Sequence, residues 1–167
     1  MKTLILVRHA KSSWENAGLT DFDRPLNERG LRDAPFMAKL IKDKGIAPDL
    51  IISSPAVRAI NTAKIFAKEL KYSLRTILTN ELIYTTGPKE ILNMLNSIDD
   101  SKNCVMLFGH NPDMTALANY LADEDIDNLP TASIVCIDFY IDSWTLLSDE
   151  TGKVRFYEYP KKYLKKG

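Results

Sequence analysis

Leu4-Ile5-Leu6-Val7-Arg8-His9-Ala10-Lys11 runs four apolar residues directly into a cation and an imidazole. An unbroken apolar run of this length reads as a strand buried on both faces of a parallel sheet. Its carboxyl end then carries Arg8 and His9 to the sheet edge where open α/β folds bind ligands. Val105-Met106-Leu107-Phe108-Gly109-His110-Asn111-Pro112 repeats the design, an apolar strand followed by histidine and a turn. The chain has only two histidines, and both follow such a strand. Packing alone does not explain that coincidence.

The 167 residues suffice for one domain, 1–167, with a substantial core. Lys plus Arg and Asp plus Glu both total 22, so there is no large positive field to hold nucleic acid, and an anion site must be built locally. No apolar run reaches the length of a membrane span, and Arg8 interrupts the first one too early for a signal peptide. A cytoplasmic chain is expected, with a monomer favoured. Cys104 and Cys136 lie in apolar runs without a Cys-x-x-Cys spacing, which predicts free buried thiols.

From Ser12 to Pro25 no period is visible, and a loop of that length beginning beside His9 is expected to frame a pocket, with Trp14 and Phe22 packed down to hold it. Asn27 predicts an N-cap for a helix to about Lys44, stopped by Gly45. Strands are predicted at 49–52, 74–78, 104–108, 134–141 and 153–159. Ser53-Ser54-Pro55 predicts a capped helix with proline at its first position, running to about Leu70. Asn111-Pro112 predicts the same arrangement for a helix to about Leu121, and Pro88 opens another to about Asn96. Ser143 to Gly152 reads as a polar turn, and Lys161, Lys162, Lys165 and Lys166 form a basic tail. The acidic run Asp123, Glu124, Asp125 and Asp127 lacks the glycine and the final glutamate of a calcium loop, so it reads as a solvated turn. Strands alternating with helices imply an α/β fold of three layers, α/β/α, with a mostly parallel sheet of about six strands and helices on both faces.

Arg8, His9, Arg58 and His110 all fall just past the ends of strands. If those strands are parallel, the four groups converge on one crevice, together with helix N-termini. Arg58, in the first turn of its helix, stands where the helix dipole disfavours a cation, so a nearby anion is expected. The set suits a compact dianion such as a phosphoryl group, which an arginine fork can pair twice. Phosphate-loop, dinucleotide and serine-hydrolase motifs are absent, and two histidines without clustered carboxylates make a poor metal site. No cofactor and no metal are expected. What remains is a histidine nucleophile attacking phosphorus.

Arg8-His9, Ser53-Ser54-Pro55-x-x-Arg58-Ala59-x-x-Thr62-Ala63 and Gly109-His110-Asn111-Pro112, in that order, resemble the histidine phosphatase superfamily. Arg8 to Trp14 with Asp23-Arg24-Pro25-Leu26-x-x-Arg29-Gly30 is similar to its small SixA-like branch, the phosphohistidine phosphatases. The resemblance implies a phosphoglycerate mutase-like fold, here without the long insertions that form a lid in larger members. It implies that His9 is transiently phosphorylated, that Arg8, Arg58 and His110 cradle the phosphoryl oxygens, and that Lys11, Ser12, Trp14 and Arg24 form a substrate loop. Ala10 stands where the wider superfamily usually has glycine. Glu81 resembles the acid of the mutase-like branch, with Asp21, Asp23 and Asp113 as the alternatives.

The expected activity is removal of phosphate from phosphohistidine in proteins, without a metal. The alternative substrate is a small phosphoester such as a sugar phosphate or nucleotide. The non-enzymatic alternative is a phosphate-binding module, for which a nucleophile is superfluous.

Overall fold

The computed structural model describes residues 1–164, so Lys165 and Lys166 of the basic tail lie outside the described residues. The strands are β1 (Lys2–Arg8), β2 (Leu50–Ser53), β3 (Leu78–Thr79), β4 (Cys104–Gly109), β5 (Ile134–Phe139) and β6 (Gly152–Glu158). They form one six-stranded sheet in the order β3-β2-β4-β1-β5-β6. The helices are α1 (Glu28–Asp43), α2 (Val57–Glu69), α3 (Leu82–Thr85), α4 (Pro88–Asn96) and α5 (Asp113–Ala122).

Side chains alternate across the sheet because successive Cβ atoms leave a strand on opposite faces. Leu4, Leu6, Val105, Leu107, Val135 and Ile137 pack on one face with Ile91 and Leu95 of α4 and Leu117 and Leu121 of α5. Ile5, Val7, Met106, Phe108, Ile134 and Cys136 pack on the other with Met37 and Ile41 of α1 and Phe66 of α2. Phe66 and Phe108 meet edge to face at 5.2 Å between ring centroids. Helices thus cover both faces, as the apolar runs imply.

The sheet is mixed, which corrects the expectation of a mostly parallel one. β3, β2, β4 and β1 run parallel, but β5 is antiparallel to β1, and β6 to β5. The reason lies in the connections. No helix returns the chain between β5 and β6, so these two strands pair as neighbours running opposite ways. The third strand is also shorter than its apolar pattern predicts. Leu74–Thr76 is a 3-10 turn, and only Leu78 and Thr79 pair, both exposed on the sheet edge.

Asn27 caps α1 as its sequence indicates, its side chain accepting the Gly30 N–H. At the other end Gly45 adopts φ +82°, a left-handed conformation that costs glycine little. Its N–H reaches the Lys42 carbonyl and the Ile46 N–H the Ile41 carbonyl, which closes the helix. The two proline starts after strands differ from the prediction. Ala56 and Pro112, rather than Ser54 and Asn111, hold the cap positions of α2 and α5. Asn111 nevertheless accepts the Thr115 N–H from one residue further out, at 3.2 Å.

Trp144, inside the segment read as a polar turn, is fully buried and donates its indole N–H to the Lys102 carbonyl at 2.7 Å. Trp14 does the reverse and is 72% exposed, so it does not pack down. Cys104 and Cys136 are free, and burial pushes their thiols up to about 11 and about 12. Among the described residues no helix is long and apolar enough to cross a membrane.

Candidate active site

The parallel register brings three strand ends to one level. Arg8 pairs with Gly109 across β1 and β4, and Ser53 with Phe108 across β2 and β4. The ladder continues one residue further, with the His9 N–H on the Gly109 carbonyl and the Ser54 N–H on the Phe108 carbonyl. His9, Ser54 and His110 are therefore delivered side by side at the carboxyl ends, and α2 brings Arg58 from just beyond β2.

Within that crevice the imidazoles of His9 and His110 lie 5.2 Å apart between centroids. His9 Nδ1 sits 2.7 Å from the Ala10 carbonyl. A carbonyl only accepts, so Nδ1 carries the proton and Nε2 keeps its lone pair. The Arg58 Nε–H points at that nitrogen from 3.4 Å. Burial pushes the His9 pKa down to about 3. The neighbouring His110, Arg58 and Arg8 add to this, against the opposing hydrogen bond to Ala10. His9 is neutral at physiological pH, the state a nucleophile requires. The Ala10 N–H is itself held by Thr62 Oγ1, whose hydroxyl donates to the Arg58 carbonyl. One threonine thus ties the backbone beside His9 to the backbone of Arg58.

His110 Nε2 meets Ser54 Oγ at 2.7 Å, and burial, then Arg58, push its pKa down to about 4. Among the described residues neither its buried Nδ1 nor the buried Nε of Arg8 has a partner. Buried polar atoms left unpaired are rare and costly. Two such nitrogen atoms lie on residues at the ends of the adjacent strands β1 and β4. Burial and the adjacent Arg58 also lower the Arg8 pKa.

Arg58 is 6% exposed, and the anion its position calls for is Asp21. Its Nη1 donates to the Asp21 carbonyl at 2.7 Å and its Nη2 to Asp21 Oδ2 at 3.1 Å. The same Oδ2 accepts from the Tyr84 hydroxyl at 2.8 Å, while Oδ1 takes Arg24 Nε and Nη2 at 3.2 and 3.0 Å. Burial raises the Asp21 pKa, but the hydrogen bonds from Tyr84, Arg24 and Arg58 outweigh it and hold the carboxyl at about 2. Asp21 is thus an ionised clasp. It fastens the Ser12–Pro25 loop over the crevice.

Of the loop residues, Arg24 and Ser12 are buried and joined at 2.7 Å from Nη1 to Oγ. Trp14 lies face-on over the Arg24 guanidinium at 3.5 Å from its ring centroid, leaving its other surface in solvent. Lys11 is half-buried, and its carbonyl accepts the Asn27 N–H. Glu81 is exposed at the cap position of α3, and only its carbonyl is hydrogen-bonded. The side chain that α3 contributes is Tyr84, one turn on. Its ring stands edge-on to His110 at 5.5 Å and to Phe22 at 5.2 Å. Neither Tyr84 nor the pairing of Ser54 with His110 has a signal in the sequence, since both depend on which loops meet.

Among the described residues no group of three or more His, Cys, Asp or Glu side chains is placed to hold a metal ion. The family model described as "Histidine phosphatase superfamily (branch 1)" matches residues 4–83. An uncharacterised protein of Mycobacterium tuberculosis is 30% identical over 118 residues, 70% of either chain.

The chain belongs to the histidine phosphatase superfamily.

Its structure is similar to that of a candidate phosphohistidine phosphatase SixA from Agrobacterium tumefaciens. The two are 27% identical, with a TM-score of 0.80 over 95% of this chain and 98% of that one. A protein histidine phosphatase SixA complexed with tungstate shares the fold at 19% identity, with a TM-score of 0.72 over 96% and 98% of the two chains. Membership in this superfamily supports a phosphatase, and the phosphoglycerate mutase-like fold accounts for the crevice at the strand ends.

Proposed function

We propose that this protein is a metal-independent phosphatase that removes phosphate from phosphohistidine in proteins, through phospho-His9, in the cytoplasm. One observation carries the reading: Nδ1 of a neutral, buried His9 is tied to the Ala10 carbonyl, leaving Nε2 free beside Arg58.

The substrate's phosphoryl group sits among Arg8, Arg58 and His110, whose donors match its oxygens. His9 Nε2 forms a bond to phosphorus as the P–N bond to the substrate imidazole breaks. A substrate ring protonated on its other nitrogen leaves as neutral imidazole. Phospho-His9 keeps its Nδ1–H on Ala10, so it is the protonated, easily cleaved form. Water then attacks phosphorus, the P–Nε2 bond breaks, and His9 returns to its starting tautomer with release of dihydrogen phosphate. Dividing the reaction into two displacements is the gain of covalent catalysis.

The choice of phosphohistidine over an alkyl phosphate rests on acidity. An alkoxide must receive a proton as it leaves, and the carboxyl group in the crevice, Asp21, is ionised at about 2. Imidazole needs no such donor. The similarity to the Agrobacterium tumefaciens protein supports the same substrate class.

The test is turnover by the purified protein of a phosphohistidine peptide against a panel of sugar phosphates and nucleotides, with labelling quenched in alkaline detergent. Preference for the peptide and acid-labile label on His9, lost in His9→Ala, are expected. Preference for a phosphoester would replace the substrate, and label on His110 the nucleophile.

A further inference from the structure

Arg8 is held by a carbonyl that belongs to no strand. Its Nη1 donates to the Leu129 carbonyl at 2.7 Å. That carbonyl also accepts from Asn111 Nδ2 at 2.9 Å, while the Leu129 N–H donates to Thr115 Oγ1 at 3.0 Å. The Thr115 hydroxyl donates to Asn111 Oδ1 at 2.9 Å, which closes a ring of hydrogen bonds. The second hydrogen of Asn111 Nδ2 goes to Asn128 Oδ1 at 3.0 Å, and Oδ1 also takes the Thr115 N–H. Every polar position of the Asn111 carboxamide is therefore used, and its orientation is fixed.

The same segment is pressed against the backbone of the nucleophile. The Ala132 N–H bridges the Arg8 and His9 carbonyls at 3.1 and 3.0 Å, and the Arg8 N–H donates to the Ser133 carbonyl at 3.1 Å. Ala132 makes its bridge at φ +61°, a left-handed conformation that is strained for any residue with a Cβ. Strain of this kind persists only where surrounding contacts over-determine the backbone. Residues 129–133 are thus a rigid cradle beneath Arg8 and His9.

We infer that Asn111 and Thr115 are positioning residues for Arg8, acting through the Leu129 carbonyl. The ring fixes the carbonyl, and the carbonyl fixes one edge of the guanidinium. This leaves the buried, unpartnered Nε of Arg8 to meet a phosphoryl oxygen. Anion affinity then depends on two side chains that never touch the anion. The inference rests on the reading of the crevice as a phosphoryl site.

The experiment is a double-mutant cycle on the full-length protein, with orthovanadate as the probe in competition against turnover. Thr115→Val keeps the shape and removes the hydroxyl, and is expected to weaken vanadate binding by about fivefold to tenfold, the worth of one hydrogen bond. Thr115→Ser, which keeps the hydroxyl, is expected to stay within about twofold of wild type. In an Arg8→Ala background Thr115→Val is expected to have no further effect. An equal loss in both backgrounds, or a lowered melting temperature with unchanged affinity, would overturn the inference. If Thr115→Val does not fold, Asn111→Asp takes its place in the cycle, since it keeps the acceptor for Thr115 and loses the donor to Leu129. Absence of vanadate binding by the wild-type protein would overturn the phosphoryl-site reading itself, whereas the two outcomes above leave that reading intact.

Discussion

The Arg58 Nε–H faces the Nε2 of His9 across 3.4 Å, and Nε2 is the one imidazole nitrogen without a proton. A fixed cation beside a lone pair does two things. It disfavours protonation of the ring, and it lies next to the atom that the proposed mechanism assigns to phosphorus. The proposed nucleophile and anion receptor therefore occupy one contact, set by the start of α2 and the end of β1.

Both histidines are buried with depressed pKa values, His9 at about 3 and His110 at about 4. Unfolded histidine titrates near 6.5, so below that pH the unfolded chain binds protons the folded chain refuses. Stability is complete above about 6.5 and is lost as pH falls toward the folded values. Urea midpoints are expected to drop steeply between pH 7 and pH 5, and less in His9→Asn/His110→Asn. Activity is expected to show no inflection near 6.5 from His9. An equal pH slope in the double variant would contradict the assignment.

Arg58→Ala removes a buried guanidinium that faces His9 and Asp21. Loss of one well-placed donor to a developing charge costs about 10²–10³-fold in rate. Such a loss in kcat/KM is expected, with weaker orthovanadate binding. Normal vanadate affinity in Arg58→Ala would mean that the residue only anchors the loop through Asp21.

The exposure of Glu81 predicts that Glu81→Gln changes hydrolysis of phosphohistidine and of an alkyl phosphoester such as a sugar phosphate by less than about twofold, well below the ~10²–10⁴-fold of a positioned acid. Asp21→Asn is expected to slow both substrates by a similar factor, because Asp21 holds Arg58 and does not donate a proton at a pKa of about 2. A loss confined to the phosphoester would make Asp21 the acid, and the leaving-group argument would fall.

Gly30 sits in α1 where a Cβ would collide with the Lys11 carbonyl backbone. Gly30→Ala is expected to destabilise the protein by about 1–3 kcal/mol, the usual cost of overpacking. Because Lys11 follows the His9-Ala10 pair, activity is expected to fall in the folded fraction as well. Thermal melting with active-site titration separates the two effects. Wild-type stability in Gly30→Ala would show that the helix shifts to make room.

Local pattern places Arg8, His9, Arg58 and His110, because each is a polar residue at or one position beyond the end of a strand or inside a first helical turn. Unbroken apolar runs buried on both faces, a capping Asn27 and a stopping Gly45 are short-range properties, and the chain states them directly. Glu81 stands at the same kind of position, yet α3 turns its face so that Tyr84, not Glu81, reaches His110. A rotation about a four-residue helix has no local signature.

The amino-acid sequence by itself determined the sheet-and-helix order, the two faces of the core and the charged set at the strand ends. Each follows from hydrophobic period and backbone preference within a few residues. Only the tertiary structure decided that β5 and β6 run antiparallel, that Asp21 clasps Arg58, that Ser54 meets His110, and that Leu129 holds Arg8. Those contacts join segments up to 121 residues apart. They arise from how loops of low intrinsic preference satisfy buried donors once the sheet has brought them together.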